Sequence, residues 1–122
     1  MQITRSASYA LKGINYCFRS EINFRIEIML SAIALTLCLA FNVSSEEWII
    51  ILVCIMMVLA LEIINTAIEK LSDALCMTFH PLIKATKDLA AGAVLLTSVI
   101  SLIIGCIIFI PKIFVFIKFI LQ

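Results

Sequence analysis

Apolar residues are gathered into three long runs along the chain instead of being spread at the spacing of a water-soluble helical core. The first run covers about 26–43 and is uninterrupted from Ile28 through Phe41, the second covers about 48–70, and the third covers about 89–110. Each is close to the roughly 20 residues that an α-helix needs to cross ~30 Å of hydrocarbon. The pattern therefore predicts three transmembrane helices in an all-α integral membrane protein.

The segments at the two ends of the chain have different patterns. Over residues 3–20, apolar side chains recur at spacings of three and four, which predicts an amphipathic helix on the membrane surface. Packing of this helix against other helices would give the same pattern. At the other end, Pro111 is able to stop the third span. The final KIFVFIKFILQ is too short to span again and is able to extend that helix into the interface.

The composition fits one membrane domain over residues 1–122. Hydrophobic residues make up 64% of the chain and charged residues 14%, whereas soluble domains are typically about 45–50% apolar. A formal charge of +1 gives no field that would attract nucleic acid. The five cysteines show no C-x-x-C or zinc-finger spacing. With only three glycines, the chain also has no glycine-rich phosphate-binding loop.

Charged residues flank the three runs unevenly. Arginine and lysine precede the first run and occupy the connection 70–88, whereas two glutamates alone charge the loop near 44–47. The positive-inside rule therefore predicts that the N-terminus and the connection 70–88 face the cytoplasm. Lys112 and Lys118 would then lie on the outer side.

The stretch LEIINTAIEKLSDAL, which continues the second span, carries the most informative polar pattern. Its polar members include Glu62, Asn65, Glu69 and Asp73. At about 100° per residue, these four fall within an arc of about 80° on one helix face. An ionisable group at membrane depth is expensive, about 2.5–3.5 kcal/mol for an Asp at the helix centre, and it is retained mainly where it is paired or lines a wet cavity. The stripe therefore predicts a functional site.

Carboxylates on one face repel each other unless cations neutralise them. A divalent metal ion is the obvious cation, and oxygen ligands of this kind suit Mg²⁺, which completes its shell with water and phosphate oxygens. A carboxylate that binds no metal ion is able to act as a general base. The alternative is a set of inter-helix salt bridges with Arg25, Lys84 or Lys87, and the two interpretations are compatible.

Two further polar clusters precede the first and the third spans. They are Glu21, Asn23, Arg25 and Glu27, and His80, Lys84, Lys87 and Asp88. In the predicted topology all three clusters lie on the cytoplasmic side and are able to converge. Lys87 suits a phosphate by its charge, or it anchors its helix at the membrane surface. Tyr9 suits packing on a nucleotide base, or it is an interfacial anchor.

Three motifs resemble those of the prokaryotic diacylglycerol kinase family, which also contains the undecaprenol kinases of Gram-positive bacteria. They are EINFRIE at 21–27, EIINTAIEKLSD at 62–73, and HPL at 80–82 followed by KDLAAGAV at 87–94. YALKG at 9–13 is a weaker fourth element. Together they cover most of residues 5–110 in the family's order.

The resemblance implies a homotrimer of three-span subunits in the bacterial cytoplasmic (inner) membrane, with the N-terminus and active site on the cytoplasmic side. By matching positions, it implies that Glu62 is the general base and that Glu21 and Glu69 bind Mg²⁺. The implied ATP-binding residues are Tyr9, Glu21, Glu69, His80, Lys87 and Asp88. The implied substrate-contacting or orienting residues are Arg5, Arg25, Asn65 and Asp73.

The activity that follows is Mg²⁺-dependent transfer of the ATP γ-phosphate to the hydroxyl of a membrane lipid. Diacylglycerol, giving phosphatidic acid, is the favoured substrate, and undecaprenol, giving undecaprenyl phosphate, is the alternative. The motifs HPL and KDLAAGAV lean towards the undecaprenol kinases. The chain departs from the common family pattern at Thr78-Phe79 and at Leu11. A hypothesis of another class is a non-enzymatic helical oligomer whose carboxylate stripe binds cations.

Overall fold

Four α-helices make up the regular structure of the computed structural model, which describes residues 2–122. They are α1 (Gln2–Ser20), α2 (Ile22–Ala40), α3 (Ser45–Leu75) and α4 (Pro81–Ile120), and no strand occurs among the described residues. The last three are each long and apolar enough to cross a membrane. The prediction of three long apolar helices able to span a membrane is therefore confirmed, whereas the surface position of α1 stays a prediction.

The apolar side chains of the long helices mostly point outward. Leu95 and Leu102 on α4, for example, are 66% and 70% exposed. One small cluster of apolar side chains is buried, at the end of the bundle where α2 turns into α3. Its members are Cys38, Val43, Ile51, Ile108 and Phe109. Because lipid solvates apolar side chains, this outward distribution suits helices that cross a bilayer.

The turn between α2 and α3 is encoded locally. Asn42 has a φ of 47°, a left-handed conformation that asparagine tolerates better than most residues. The next backbone N–H, of Val43, donates to Cys38 O at 3.3 Å, which closes the end of α2 as in a Schellman motif. Ser44 and Glu47 then form a capping box. Glu47 N donates to Ser44 Oγ at 3.2 Å, and Ser44 N donates to Glu47 Oε2 at 2.9 Å.

The α1–α2 junction, at the other end of the bundle, places charged side chains beside a helix end. Glu21 has an extended backbone between α1 and α2. Arg25 Nη1 donates to the carbonyl oxygens of Phe18 and Arg19 at the end of α1, at 3.3 and 3.1 Å. A cation is favourable there because the last carbonyls of a helix lack backbone partners.

The helix α4 does not end at Pro111, where the sequence allowed an end, but extends through the final stretch, as the sequence also allowed. It continues to Ile120, with Pro111 inside it. A proline in a helix interior removes one backbone hydrogen bond. The residues that follow are nearly all apolar, and in a membrane environment helical structure satisfies their backbone groups internally. This gain outweighs the single missing bond.

Candidate functional site

A stripe of polar side chains is buried on α3. The exposed fraction is 2% for Glu62, 8% for Asn65 and 3% for Thr66. One turn further on Glu69 is half-buried, and Asp73 is exposed. The stripe therefore runs from the dry interior of the bundle to the open end of α3, which is the end that faces the α3–α4 connection.

Carboxylates from three segments lie near enough to Glu62 to interact with it electrostatically. Two of them are Glu69, about two turns along α3, and Glu21, from the α1–α2 junction. The third is Glu27 on α2. Within residues 2–122, neither Glu62 nor Glu69 forms an ion pair with a lysine or arginine. We name Glu21, Glu27, Glu62 and Glu69 the carboxylate cluster. So many acidic groups in one place favour a bound cation.

Three buried oxygen atoms at this location have no hydrogen-bond partner among the residues that the structure describes. They are Glu27 Oε2, Asn65 Oδ1 and Thr66 Oγ1. Buried polar atoms are normally paired, so unpaired ones in a native site are candidates for contact with an ion, water or ligand. Uncharged and anionic oxygens of this kind are the ligands that Mg²⁺ prefers.

The donor set therefore fits a magnesium ion that is only partly coordinated by protein. In the part of the chain that the structure describes, no three His, Cys, Asp or Glu side chains are close enough to hold a metal ion by themselves. Mg²⁺ commonly uses one or two carboxylates and keeps water or substrate phosphate oxygens in its other positions. Glu21 and Glu69 stay the predicted pair of protein ligands.

Two lysines border the carboxylate cluster. Lys87 Nζ on α4 lies 2.9 Å from Asp73 Oδ1 and also interacts electrostatically with Glu69. Lys70 Nζ lies 5.7 Å from the centre of the Tyr16 ring and interacts electrostatically with Glu21 and Asp73. The inter-helix salt bridge foreseen as an alternative is thus formed by Asp73 and Lys87. The cluster has positive charge on its open side, where an anionic substrate would enter.

The α3–α4 connection brings two more predicted residues to this end of the bundle. His80 is the N-cap of α4, and its Nδ1 accepts a hydrogen bond from Leu82 N at 3.2 Å. The following Pro81 takes the first helical position, where its missing N–H is harmless. Asp88 is exposed and pairs with Lys84 Nζ at 2.5 Å, one turn away on α4. His80 therefore has a structural role at the start of α4 whatever else it does.

Three predicted site residues are not joined to the carboxylate cluster. Arg25 is engaged with the carbonyls at the end of α1. Tyr9 is exposed on α1, with Lys12 Nζ 5.6 Å from its ring centre. Arg5 is exposed one turn before Tyr9. Among residues 2–122, no side-chain hydrogen bond or ion pair connects Arg5, Tyr9 or Arg25 to the carboxylates of the cluster, although the backbone N–H of Arg25 donates to Glu21 O at 3.4 Å. Their predicted contacts with substrate stay predictions.

The sequence pattern assigned no role to three further side chains that lie at the site. Glu27 belongs to the EINFRIE motif, but its proximity to Glu62 depends on how α2 packs on α3. Thr66 looks like an ordinary helical threonine until its burial is known. Lys70 follows Glu69 directly and falls about 100° around the helix from it. Helical periodicity locates such residues only after the relative orientation of the helices is known.

Comparison with known proteins adds an independent observation. The sequence pattern of the family described as prokaryotic diacylglycerol kinase matches residues 8–109. The undecaprenol kinase of Bacillus subtilis is 42% identical over 108 residues, which cover 88% of this chain and 88% of that protein. The diacylglycerol kinase of Synechocystis is 32% identical, with coverage of 87% of this chain and 61% of that protein. The diacylglycerol kinase of Escherichia coli is 28% identical, with 87% of each chain covered.

Proposed function

Because the chain belongs to the prokaryotic diacylglycerol kinase family and is a lipid kinase, we propose that it transfers the γ-phosphate of ATP to the hydroxyl of a membrane lipid in a Mg²⁺-dependent reaction. The observation that carries this proposal is the burial of Glu62 among the carboxylates of Glu21, Glu27 and Glu69. A buried carboxylate without an ion pair is suited to accept a proton.

In the proposed reaction, the Glu62 carboxylate takes the proton of the lipid hydroxyl. The hydroxyl oxygen forms a bond to the γ-phosphorus of ATP, and the bond from that phosphorus to the bridging oxygen breaks, releasing ADP. Asn65, one turn from Glu62 on the same face, orients the reacting groups. Phosphoryl transfer depends mainly on positioning and on charge stabilisation, so few protein groups are needed.

Lys87, His80 and Asp88 would hold the nucleotide at the open end of the site, with Arg5 and Tyr9 from α1 and Arg25 and Asp73 at its edge. Mg²⁺ held by Glu21 and Glu69 would neutralise the triphosphate and the carboxylate cluster. The chain has no glycine-rich loop, so lysine is the residue able to supply positive charge to the phosphates.

We propose undecaprenol as the acceptor lipid. The support is the relative from Bacillus subtilis, which is 42% identical, against 28–32% for the diacylglycerol kinases from Escherichia coli and Synechocystis. Diacylglycerol, the substrate that the sequence alone favoured, is the second candidate. Both lipids present a primary hydroxyl at the membrane surface, so the same carboxylate is able to serve either one.

The proposed assembly is a homotrimer in the bacterial inner membrane, with the carboxylate cluster on the cytoplasmic side and α1 lying on that surface. Two features support it. The positive charges cluster at that end of the bundle. A three-span chain also offers little interior for its acidic groups, and neighbouring subunits would supply more. Kinase family membership favours this arrangement over the cation-binding oligomer.

The test uses the purified full chain in mixed micelles with γ-labelled ATP, Mg²⁺ and one lipid alcohol at a time. Label in undecaprenyl phosphate, at a higher kcat/KM than label in phosphatidic acid, is the expected result. Glu62→Gln serves as the inactive control and chelation of divalent ions as the metal control. Label in phosphatidic acid alone would overturn the choice of acceptor, and label in neither lipid would overturn the proposed activity.

A further inference from the structure

The C-terminal part of α4 lies beyond the residues shared with the family. The family pattern ends at residue 109, whereas α4 continues to Ile120. We call residues 113–121 the terminal segment. It contains eight apolar residues and one lysine, Lys118, and no acidic residue. Its apolar side chains are largely exposed on the surface of the subunit, 79% for Phe119 and 80% for Leu121.

Two ion pairs tie α3 to α4 and mark the two ends of the hairpin that these helices form. Lys87 pairs with Asp73 at 2.9 Å, and Lys112 Nζ lies 3.1 Å from Glu47 Oε2. Along α3, 26 residues separate Glu47 from Asp73, and along α4, 25 residues separate Lys87 from Lys112. At about 1.5 Å per residue, both separations are about 38–39 Å.

This separation matches a bilayer, whose hydrocarbon core is about 30 Å thick and whose full thickness with headgroups is about 40–45 Å. Each ion pair therefore lies in a headgroup layer, where water and lipid charges solvate it. Lys112 then marks the membrane surface opposite the carboxylate cluster. The terminal segment begins directly after Lys112, so a straight continuation of α4 would carry it about 12 Å further, out of the bilayer and into water.

The side chains of the terminal segment indicate what surrounds it instead. Apolar residues occur on every side of the helix, a distribution that suits a helix buried all round. A protein partner on one face would leave the other faces in water, whereas lipid is able to surround all of them. The segment is continuous with the lipid-facing part of α4. Its only charge is positive, which complements the phosphates of anionic lipids.

We propose that the terminal segment is a lipid-binding element that lies in the leaflet opposite the carboxylate cluster, with Lys118 directed to lipid phosphates. Pro111, inside α4, is the position at which the helix would bend, since a proline leaves the preceding turn without one backbone hydrogen bond and is a common site of helix kinks. The rings of Phe116 and Phe41 are nearly perpendicular, with 6.0 Å between centroids, and this contact holds the start of the segment against the α2–α3 turn.

The test measures the depth of a single tryptophan in vesicles. Trp48, the one tryptophan, is replaced by phenylalanine, and Phe119→Trp is introduced into the full chain. Lipids brominated at shallow or deep acyl positions report depth, and acrylamide reports contact with water. The expected depth of residue 119 is about 5–10 Å below the headgroups, as for interfacial helices. Shallow bromines should therefore quench it more than deep bromines, and acrylamide should quench it weakly.

Leu95→Trp in the same background is the matched control, because Leu95 is an exposed residue in the middle of the same helix. It should respond more to deep bromines.

Lys118→Gln combined with Phe119→Trp should make acrylamide quenching stronger in vesicles that contain phosphatidylglycerol. Leu121→Trp replaces Phe119→Trp if the latter loses helical content by circular dichroism. Strong acrylamide quenching at residue 119 would place the segment in water, and protection from both quenchers would place it between protein copies. Either result overturns the proposal.

Discussion

Lys87 Nζ and Asp73 Oδ1, 2.9 Å apart, join α4 to α3 at the open end of the carboxylate cluster. The two side chains are 37% and 62% exposed, and ion pairs at such exposure stabilise proteins very little. Lys87 also interacts with Glu69. The ion pair therefore holds Lys87 beside the site. A more highly charged anion, such as a nucleoside triphosphate, is able to replace Asp73 as the partner of Lys87.

Substitution of Lys87 and of Asp73 should have different consequences. Lys87→Met should raise the KM for ATP by at least about tenfold, because a charge-assisted hydrogen bond to phosphate is lost. Asp73→Asn should leave that KM within a few-fold of the wild-type value and change the thermal unfolding temperature little. The measurement is initial-rate kinetics at varied Mg–ATP. Lys118→Met, at the opposite end of α4, is the matched control and should change neither KM nor kcat. Equal effects of Lys87→Met and Asp73→Asn would mean that Lys87 acts only through the ion pair.

Kinetic measurements should distinguish the role of Glu62 from that of Glu69. Glu62→Gln should lower kcat by about 10²–10⁴-fold, the usual contribution of general base catalysis, while Mg–ATP binding measured by calorimetry stays unchanged. Glu69→Gln should instead weaken Mg–ATP binding, and added Mg²⁺ should partly restore its activity, since a metal ligand is lost. Glu46→Gln, an exposed glutamate at the opposite end of α3, is the control for loss of one negative charge. A Glu62→Gln enzyme with normal kcat would exclude the general-base role.

The stripe on α3 was predictable because a helix has a fixed period, and four polar residues within one arc identify a face without any tertiary information. Glu27 was not assigned a role, because its distance from Glu62 depends on the packing of α2 against α3. The contact of Arg25 with the carbonyls of α1 depends on local geometry at the α1–α2 junction, which helical periodicity does not reveal, and its predicted contact with substrate stays a prediction. The sequence left two outcomes at Pro111, an end of the helix or its extension through the final residues, and α4 shows the extension. In an apolar segment, a non-helical backbone would leave several N–H and C=O groups unpaired, which is more unfavourable than the one hydrogen bond that proline removes from a helix.

Thr66 has an unusual hydroxyl. Five other helical hydroxyls donate to the carbonyl oxygen four residues earlier, at 2.7–2.9 Å. They are Ser20, Ser31, Thr36, Thr86 and Thr97. Thr66 Oγ1 is buried and has no hydrogen-bond partner within the described part of the chain. A buried hydroxyl without a hydrogen bond destabilises a protein by about 1–3 kcal/mol. Next to Glu62, an unpaired hydroxyl of this kind is a candidate for contact with bound substrate.

Thr66→Val, which keeps the side-chain shape, should lower kcat/KM by about tenfold, the equivalent of one hydrogen bond to a charged group. Because Thr66→Val also removes an unpaired polar atom, the thermal unfolding temperature should stay the same or rise. Thr66→Ser keeps the hydroxyl and should retain most of the activity. Thr97→Val is the matched control, since the Thr97 hydroxyl is already bonded to Ala93 O at 2.9 Å. A stabilised Thr66→Val enzyme with full activity would show that the hydroxyl has no role in the reaction.

The α2–α3 turn should be sensitive to the backbone conformation of Asn42 rather than to its side chain. At a φ of 47°, a β-branched residue is strained because its side chain crowds the following carbonyl, whereas glycine has no such conflict. Asn42→Val should therefore destabilise the fold by about 1–2 kcal/mol, the usual penalty for a left-handed residue, and Asn42→Gly should leave stability nearly unchanged. Thermal unfolding in one detergent, followed by circular dichroism, compares the two variants with the parent chain.

Because the turn is at the opposite end of the bundle from Glu62, the KM for ATP should be the same in both variants at temperatures where both are folded. Equal destabilisation by valine and glycine would mean that the asparagine side chain, and not the left-handed backbone, stabilises the end of α2.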